Sequence, residues 1–266
     1  MKNVLVLSHD DAGQEARLQA GLDVTRALDG HLTCLDVMAM PTVYTGVYGF
    51  GGEELVLARV REWGEEKRAR LIERLAREDV SYTVLGALGE PAAALTQAAD
   101  LADLIVVTSR TGTGPDEPKH ARPTGLPVRA KRPVLAVPPE SRGFDPATPV
   151  IVAWDGSDEA AEALRAAVPL MQRAKDVTVL RIGRETGENT IEEAGAYLSR
   201  HGIHAELLQL PESETTAGSI LQIATERSAG WIVMGAYGMG RAAERLFGGV
   251  TRTMLLDSAV PLLIAH

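Results

Sequence analysis

The chain has 266 residues, 45% of them hydrophobic, and a formal net charge of −9. That length suffices for two ordinary domains with real cores, and the acidic balance disfavours nucleic acid or an anionic membrane surface as partner, because both are held through a basic face. The single cysteine, Cys34, excludes an internal disulfide framework and fits a reducing compartment. No apolar run has the length of a signal peptide or a membrane span, so the expected location is the cytoplasm.

In chain order, Val4-Leu-Val-Leu7 predicts a short strand, and Ala16 to Leu28 predicts a helix after the acidic turn His9-Asp10-Asp11. His31 to Val37 predicts a second strand, in which Cys34 reads as a buried structural thiol. Pro41 to Gly52 carries Tyr44, Tyr48 and Phe50 among glycines and reads as a loop packing its own rings, while Glu53 to Glu78 is a charged helical run. Ala102 to Val107 and Pro133 to Val137 predict further strands, separated by a stretch that bears Gly112, Gly114 and Gly125 among prolines. Pro138 to Pro149 reads as an exposed hinge. The order then repeats: strand Val150 to Ala153, helix Glu159 to Arg173, and strands Asp176 to Ile182, Ala229 to Met234 and Pro261 to Ala265. Two copies of one alternating unit imply two α/β domains with mainly parallel sheets. His201 and His204 flank a helix end at Gly202 and read as capping residues rather than metal ligands.

Open parallel sheets bind ligands beyond the carboxyl ends of their strands, where the strand order reverses. In the second copy Asp155 follows the first strand, and Gly235-Ala-Tyr-Gly238-Met-Gly-Arg-Ala-Ala-Glu-Arg-Leu-Phe-Gly248-Gly249-Val250-Thr251 follows the run Trp231 to Met234. Two glycines three apart let the backbone turn and present N–H groups, and the pair Gly248-Gly249 brings more of them to the same anion. There is no Walker GxxxxGK[ST], and this stretch holds no lysine, Arg241 and Arg245 being its cations. Binding therefore follows more readily from these residues than phosphoryl chemistry does.

The spacing G-x2-G-x9-G followed by a small residue resembles the nucleotide loop of the universal stress protein family. Together with Val152-Ala-Trp-Asp155-Gly-Ser157 and the closing Ala259 to Ala265, it makes the whole chain resemble a tandem member of that family. The resemblance implies two domains, 1–140 and 149–266, each an open, mainly parallel five-stranded sheet flanked by helices. It also implies a stress-response protein that binds an adenine nucleotide, ATP foremost and with or without Mg2+, in its C-terminal domain. The role would be signalling, with at most slow hydrolysis. Carried over residue by residue, Asp155 would serve the adenine or ribose region and Ile182 would wall the base. Met234, Gly235, Gly238, Gly248, Gly249, Val250 and Thr251 would serve ribose and phosphates.

This chain departs from the pattern at Gly249, where ATP-binding relatives usually carry Ser or Thr. The lost hydroxyl donor costs roughly 0.5 to 1.5 kcal/mol, and Thr251 is either its replacement or an ordinary first-turn helix residue. The first copy departs further. Gly112 and Gly114 are two apart, the short span from Gly125 to Pro133 predicts a shortened or displaced helix, and His9, Asp10 and Asp11 compete for the place of Asp155. Family members commonly dimerise through the last strand, so the resemblance also implies an intramolecular pseudo-dimer that pairs Pro133–Val137 with Pro261–Ala265, with or without a further homodimer. The alternative function is a ligand-independent protein-interaction module. An adenylating enzyme of related fold is a third reading, but Trp154-Asp-Gly-Ser-Asp158 matches its SGGxDS-like loop only in fragments.

Overall fold

The computed structural model describes residues 1–8, 11–38, 52–110, 126–184, 188–212, 215–236 and 249–266, with the backbone alone for 52–63. The first half contributes strands β1 (Asn3–Ser8), β2 (His31–Met38), β3 (Ser81–Leu88), β4 (Leu104–Thr108) and β5 (Val134–Val137), with helices α1 (Gln14–Leu28), α2 (Gly52–Leu75), α3 (Pro91–Ala98) and α4 (Leu126–Ala130) between them. The second half repeats the plan with β6 (Val150–Ala153), α5 (Asp158–Met171), β7 (Val177–Ile182), α6 (Ile191–Arg200), β8 (Ala205–Leu210), α7 (Thr216–Glu226), β9 (Trp231–Gly235), α8 (Gly249–Asp257) and β10 (Leu262–Ala265).

Helix starts follow local chemistry. Ser157 caps α5 by accepting the Ala160 N–H, and Asp158 and Glu159 lie in the first turn, at the positive end of the helix dipole. Thr190 and Glu193 form a reciprocal capping box on α6. His201 ends α6 as its C-cap and Gly202 follows with φ of 75°, the conformation that the capping reading of this segment calls for. The helix before β5 in the first half is α4 (Leu126–Ala130) and its counterpart before β10 is α8 (Gly249–Asp257), each following residues that lie outside the described ones.

Strands β4, β5 and β10 are buried at every position, as strands covered on both faces must be. One core packs α1, α5 and α6 against one face of the sheet, and the other packs α3, α4, α7 and α8 against the opposite face. Successive residues of β1 alternate between them, Val4 and Val6 to the first, Leu5 and Leu7 to the second. Cys34 is buried in the first core, and burial pushes its thiol up to about 12.

The strand order is β3-β2-β1-β4-β5-β10-β9-β6-β7-β8. Within each half every pairing is parallel, and the two sets join through antiparallel β5 and β10, with Val134 opposite Ile264, Leu135 opposite Leu263 and Ala136 opposite Leu262. The two five-stranded sets thus form one ten-stranded sheet, because each half would otherwise end in a short apolar edge. The connecting segment also differs from the expected hinge. Phe144 is buried edge-on to Trp231 with ring centroids 5.5 Å apart, and its N–H donates to Asp23 Oδ2 at 3.0 Å. Among the described residues no helix is long and apolar enough to cross a membrane, and no cluster of His, Cys, Asp and Glu is arranged to hold a metal.

Candidate functional site

In the second half β6 lies between β7 and β9, so the chain leaves β6 on one side and returns on the other. The crevice beyond the carboxyl ends of β6 and β9 is therefore the switch point of this half. Ala153 stands in register with Leu180 on one side and Met234 on the other, which brings Asp155, Ile182 and Gly235 to the same rim. Strands β9 and β10 are parallel, so α8 runs back from this rim and begins there at Gly249.

Asp155 is exposed. Its Oδ1 accepts the Ser157 N–H at 3.0 Å and the Ser157 hydroxyl at 2.6 Å, and Gly156, with φ of 82°, allows the tight turn. The same Ser157 hydroxyl oxygen then accepts the Ala160 N–H, so the carboxylate and the start of α5 form one unit. Trp154, between the strand and Asp155, is buried and donates its backbone N–H to Leu180 O at 2.8 Å. Ile182 closes β7, partly buried, beside Leu210. Met234 is buried in the core, and Gly235 ends β9 against the first turn of α5.

Gly238 and Gly248 lie outside the described residues. Gly249 is the first described residue of α8, exposed, and no heavy atom of the described residues comes within 4 Å of the position a Cβ would take. Val250 is partly exposed, whereas Thr251 is buried on the core side of the helix. The rim thus presents Asp155, Gly249 and Val250, partly Ile182 and Gly235, and withdraws Met234 and Thr251 into the fold. His266 was not singled out in the sequence, yet its ring Nδ1 lies 2.9 Å from Ala236 O at the start of the glycine loop. Only the sheet register, which places the end of β10 beside that of β9, reveals it.

The first half closes the equivalent rim from within. Asp11 forms the turn that Asp155 forms, its Oδ1 accepting the Gly13 N–H at 2.8 Å, while His9 and Asp10 lie outside the described residues. That same Oδ1 also accepts from the buried Arg17 guanidinium at 3.0 Å, which bonds in addition to Leu7 O and the Thr108 hydroxyl. Four residues after its helix cap the second half carries Ala161 where the first carries Arg17, and Thr108 occupies the strand end where the second half has Gly235. A groove of about 920 Å³ lies apart from both rims, lined by Arg26, Arg142, Phe144, Pro146 and Arg173 among others.

Residues 147–266 match the universal stress protein family. Over the whole chain the fold is that of a universal stress protein from Archaeoglobus fulgidus DSM 4304, at 14% identity and a TM-score of 0.72, with 99% of this chain and 95% of that one covered. A protein of unknown function from Pseudomonas aeruginosa PAO1 is similar at 18% identity and a TM-score of 0.55, covering all of this chain and 92% of its own. A putative universal stress protein from Pseudomonas aeruginosa UCBPP-PA14 is similar at 16% identity and the same TM-score, covering all of this chain and 93% of its own. At these identities the likeness is one of fold. No curated protein matches the chain.

Proposed function

We propose, from the match of residues 147–266 to the universal stress protein family, that the chain binds an adenine nucleotide, ATP foremost, at the rim where β6, β7 and β9 end. The observation that carries this reading is the switch point itself, with the Asp155 carboxylate on one side and the amino end of α8 on the other. The phosphates would meet the N–H groups of Gly249 and Val250, where a helix presents unpaired donors and the positive end of its dipole. Asp155 would accept from a ribose or adenine donor, and the apolar side of Ile182 would wall the base.

The residues fit such a ligand in kind: a carboxylate, an apolar wall and an anion-facing helix start whose first position has no side chain. Among them is no lysine to neutralise a γ-phosphate, which favours binding and signalling over rapid transfer. We read the first half as a second copy, 1–140, that has given up its site: Arg17 neutralises the Asp11 turn and Thr108 replaces the rim glycine. The antiparallel β5–β10 junction supports a pseudo-twofold pairing of the two copies inside one chain.

The test is calorimetric titration of the full chain with ATP and AMP, beside the variants Asp155→Ala and Asp11→Ala. One site per chain is expected, weakened in Asp155→Ala by the loss of a charged acceptor worth roughly 1.5 to 3 kcal/mol, and little changed in Asp11→Ala. Two equal sites, or no response to the Asp155 change, would reject the assignment. Absence of any adenylate binding would leave the ligand-independent interaction module.

A further inference from the structure

Arg110 stands two residues beyond β4, in the first half, yet its side chain serves the second. Nη1 donates to Leu256 O at 2.9 Å, across 146 residues of sequence, and Nη2 donates to Glu140 Oε2 at 2.6 Å. Leu256 lies in the last turn of α8, and Glu140 lies in the segment that joins the halves. The guanidinium is thus fixed by the connecting segment and grips the carboxyl end of the helix whose amino end opens on the rim.

Helix ends explain why a cation is placed there. The last carbonyls of α8 have no partner inside the helix and carry the negative end of its dipole. Its last turn holds no basic residue and does hold Asp257, so the compensating charge is supplied by the other half. Side-chain packing holds the middle of the helix, through buried Thr251, Met254 and Leu255, while Val250 and Leu256 face outward, so among the described residues the Arg110 hydrogen bond is the one that reaches its last turn from the first half. A helix of nine residues is a rod roughly 13 Å long, so a restraint at one end sets where the other stands.

We infer that Arg110 is a positioning residue for the nucleotide site: by anchoring the carboxyl end of α8 it sets the placement of Gly249 and Val250 toward the phosphates, making the first half a structural part of the second half's site. This rests on the nucleotide reading above. It is a division of labour that Gly249 makes consequential, since no side-chain hydroxyl at that position reinforces the backbone donors.

The experiment compares the full chain with its Arg110→Ala and Arg110→Lys variants, titrated with ATP and with adenosine and followed by amide hydrogen exchange. Arg110→Ala should lower ATP affinity by about two- to fivefold, the range of a cation at a helix end. Adenosine affinity should not change, because adenosine does not reach the helix start. Exchange should quicken in 249–257 but not in α7 or the central strands, and Arg110→Lys should recover part of both effects by keeping the charge. Unchanged exchange in α8, an unchanged ATP affinity, or an equal loss for ATP and adenosine would each overturn the inference. Failure of the parent chain to bind any adenylate would instead reject the nucleotide reading, while the exchange comparison would still decide whether Arg110 holds α8.

Discussion

Gly235 stands so close to the first turn of α5 that a Cβ there would come 2.6 Å from the Ala160 nitrogen and 2.7 Å from the Glu159 carbonyl carbon. The contact is with backbone, which cannot swing aside. The first half makes the corresponding crossing with the roles exchanged: glycine is on the helix side, at Gly13, and a Cβ there would come 2.5 Å from the Thr108 hydroxyl oxygen on the strand. Gly235 therefore has a packing duty besides any duty toward a ligand. Gly235→Ala should lower stability without nucleotide by about 1 to 3 kcal/mol, the cost of overpacking. An unchanged melting temperature in the ligand-free state would show that the crossing has slack and that this glycine is kept for another reason.

Most of the fold was legible as periodicity, because β1, β2, β4, β5, β6, β7, β9 and β10 are runs of apolar residues buried between helices. Strands β3 and β8 were not marked, and the reason is physical. They are the outer strands of the sheet, and exposed polar positions such as Ser81, Thr83, Glu206 and Gln209 break the apolar signal. The β5 and β10 segments were recognisable as partners for one another, whereas the burial of Phe144 in a proline-rich segment depends on Trp231 and Asp23, which are distant in sequence. On the rim, Asp155, Ile182 and Gly235 stand at or just beyond strand ends and follow from the predicted strands, whereas Gly249 follows from the glycine spacing. Arg17, Arg110 and His266 follow from neither, since each acts through a carbonyl, carboxylate or hydroxyl brought to it by the tertiary fold.

Arg17 should be a stability residue of the first half rather than a ligand residue. Its buried guanidinium joins Leu7 O, Asp11 and Thr108, and truncation strands these acceptors. Arg17→Met should cost about 2 to 3 kcal/mol in urea unfolding, below the full cost of breaking a buried pair because Asp11 is partly exposed. Nucleotide affinity at the second-half rim should be unaffected. A loss of affinity at unchanged stability would reverse this assignment.

Asp103 ties the start of the chain to the sheet, its Oδ2 accepting the backbone N–H groups of Lys2 at 2.6 Å and Asn3 at 2.9 Å. Partial burial opposes its ionised form, but those two donors outweigh it and hold the carboxyl below its ordinary value. A depressed folded-state pKa means that the contribution is fully present above the unfolded value near 4 and is lost as pH falls through the folded value. Asp103→Asn should therefore cost about 1 kcal/mol at pH 7, discounted for solvent exposure, and the gap to the parent should narrow at an acidic pH below the ordinary carboxylate value. Thermal melts of both proteins at the two pH values measure it, and a gap that persists or widens in acid would contradict the sign.

Gly249→Ser separates a nucleotide cradle from a glycine-rich structural turn. Among the described residues nothing stands near the would-be Cβ, so serine at this position of α8 displaces none of them. Glycine in a helix costs stability relative to residues with a side chain, so the substitution should not lower the melting temperature. If phosphates meet this helix start, the added hydroxyl supplies one further donor and should strengthen ATP binding by roughly two- to tenfold. AMP should gain less if the hydroxyl reaches the outer phosphates, and adenosine nothing. Titration of the three ligands against parent and variant decides the matter: an ATP affinity left unchanged at intact stability would mean that no phosphate stands at the amino end of α8.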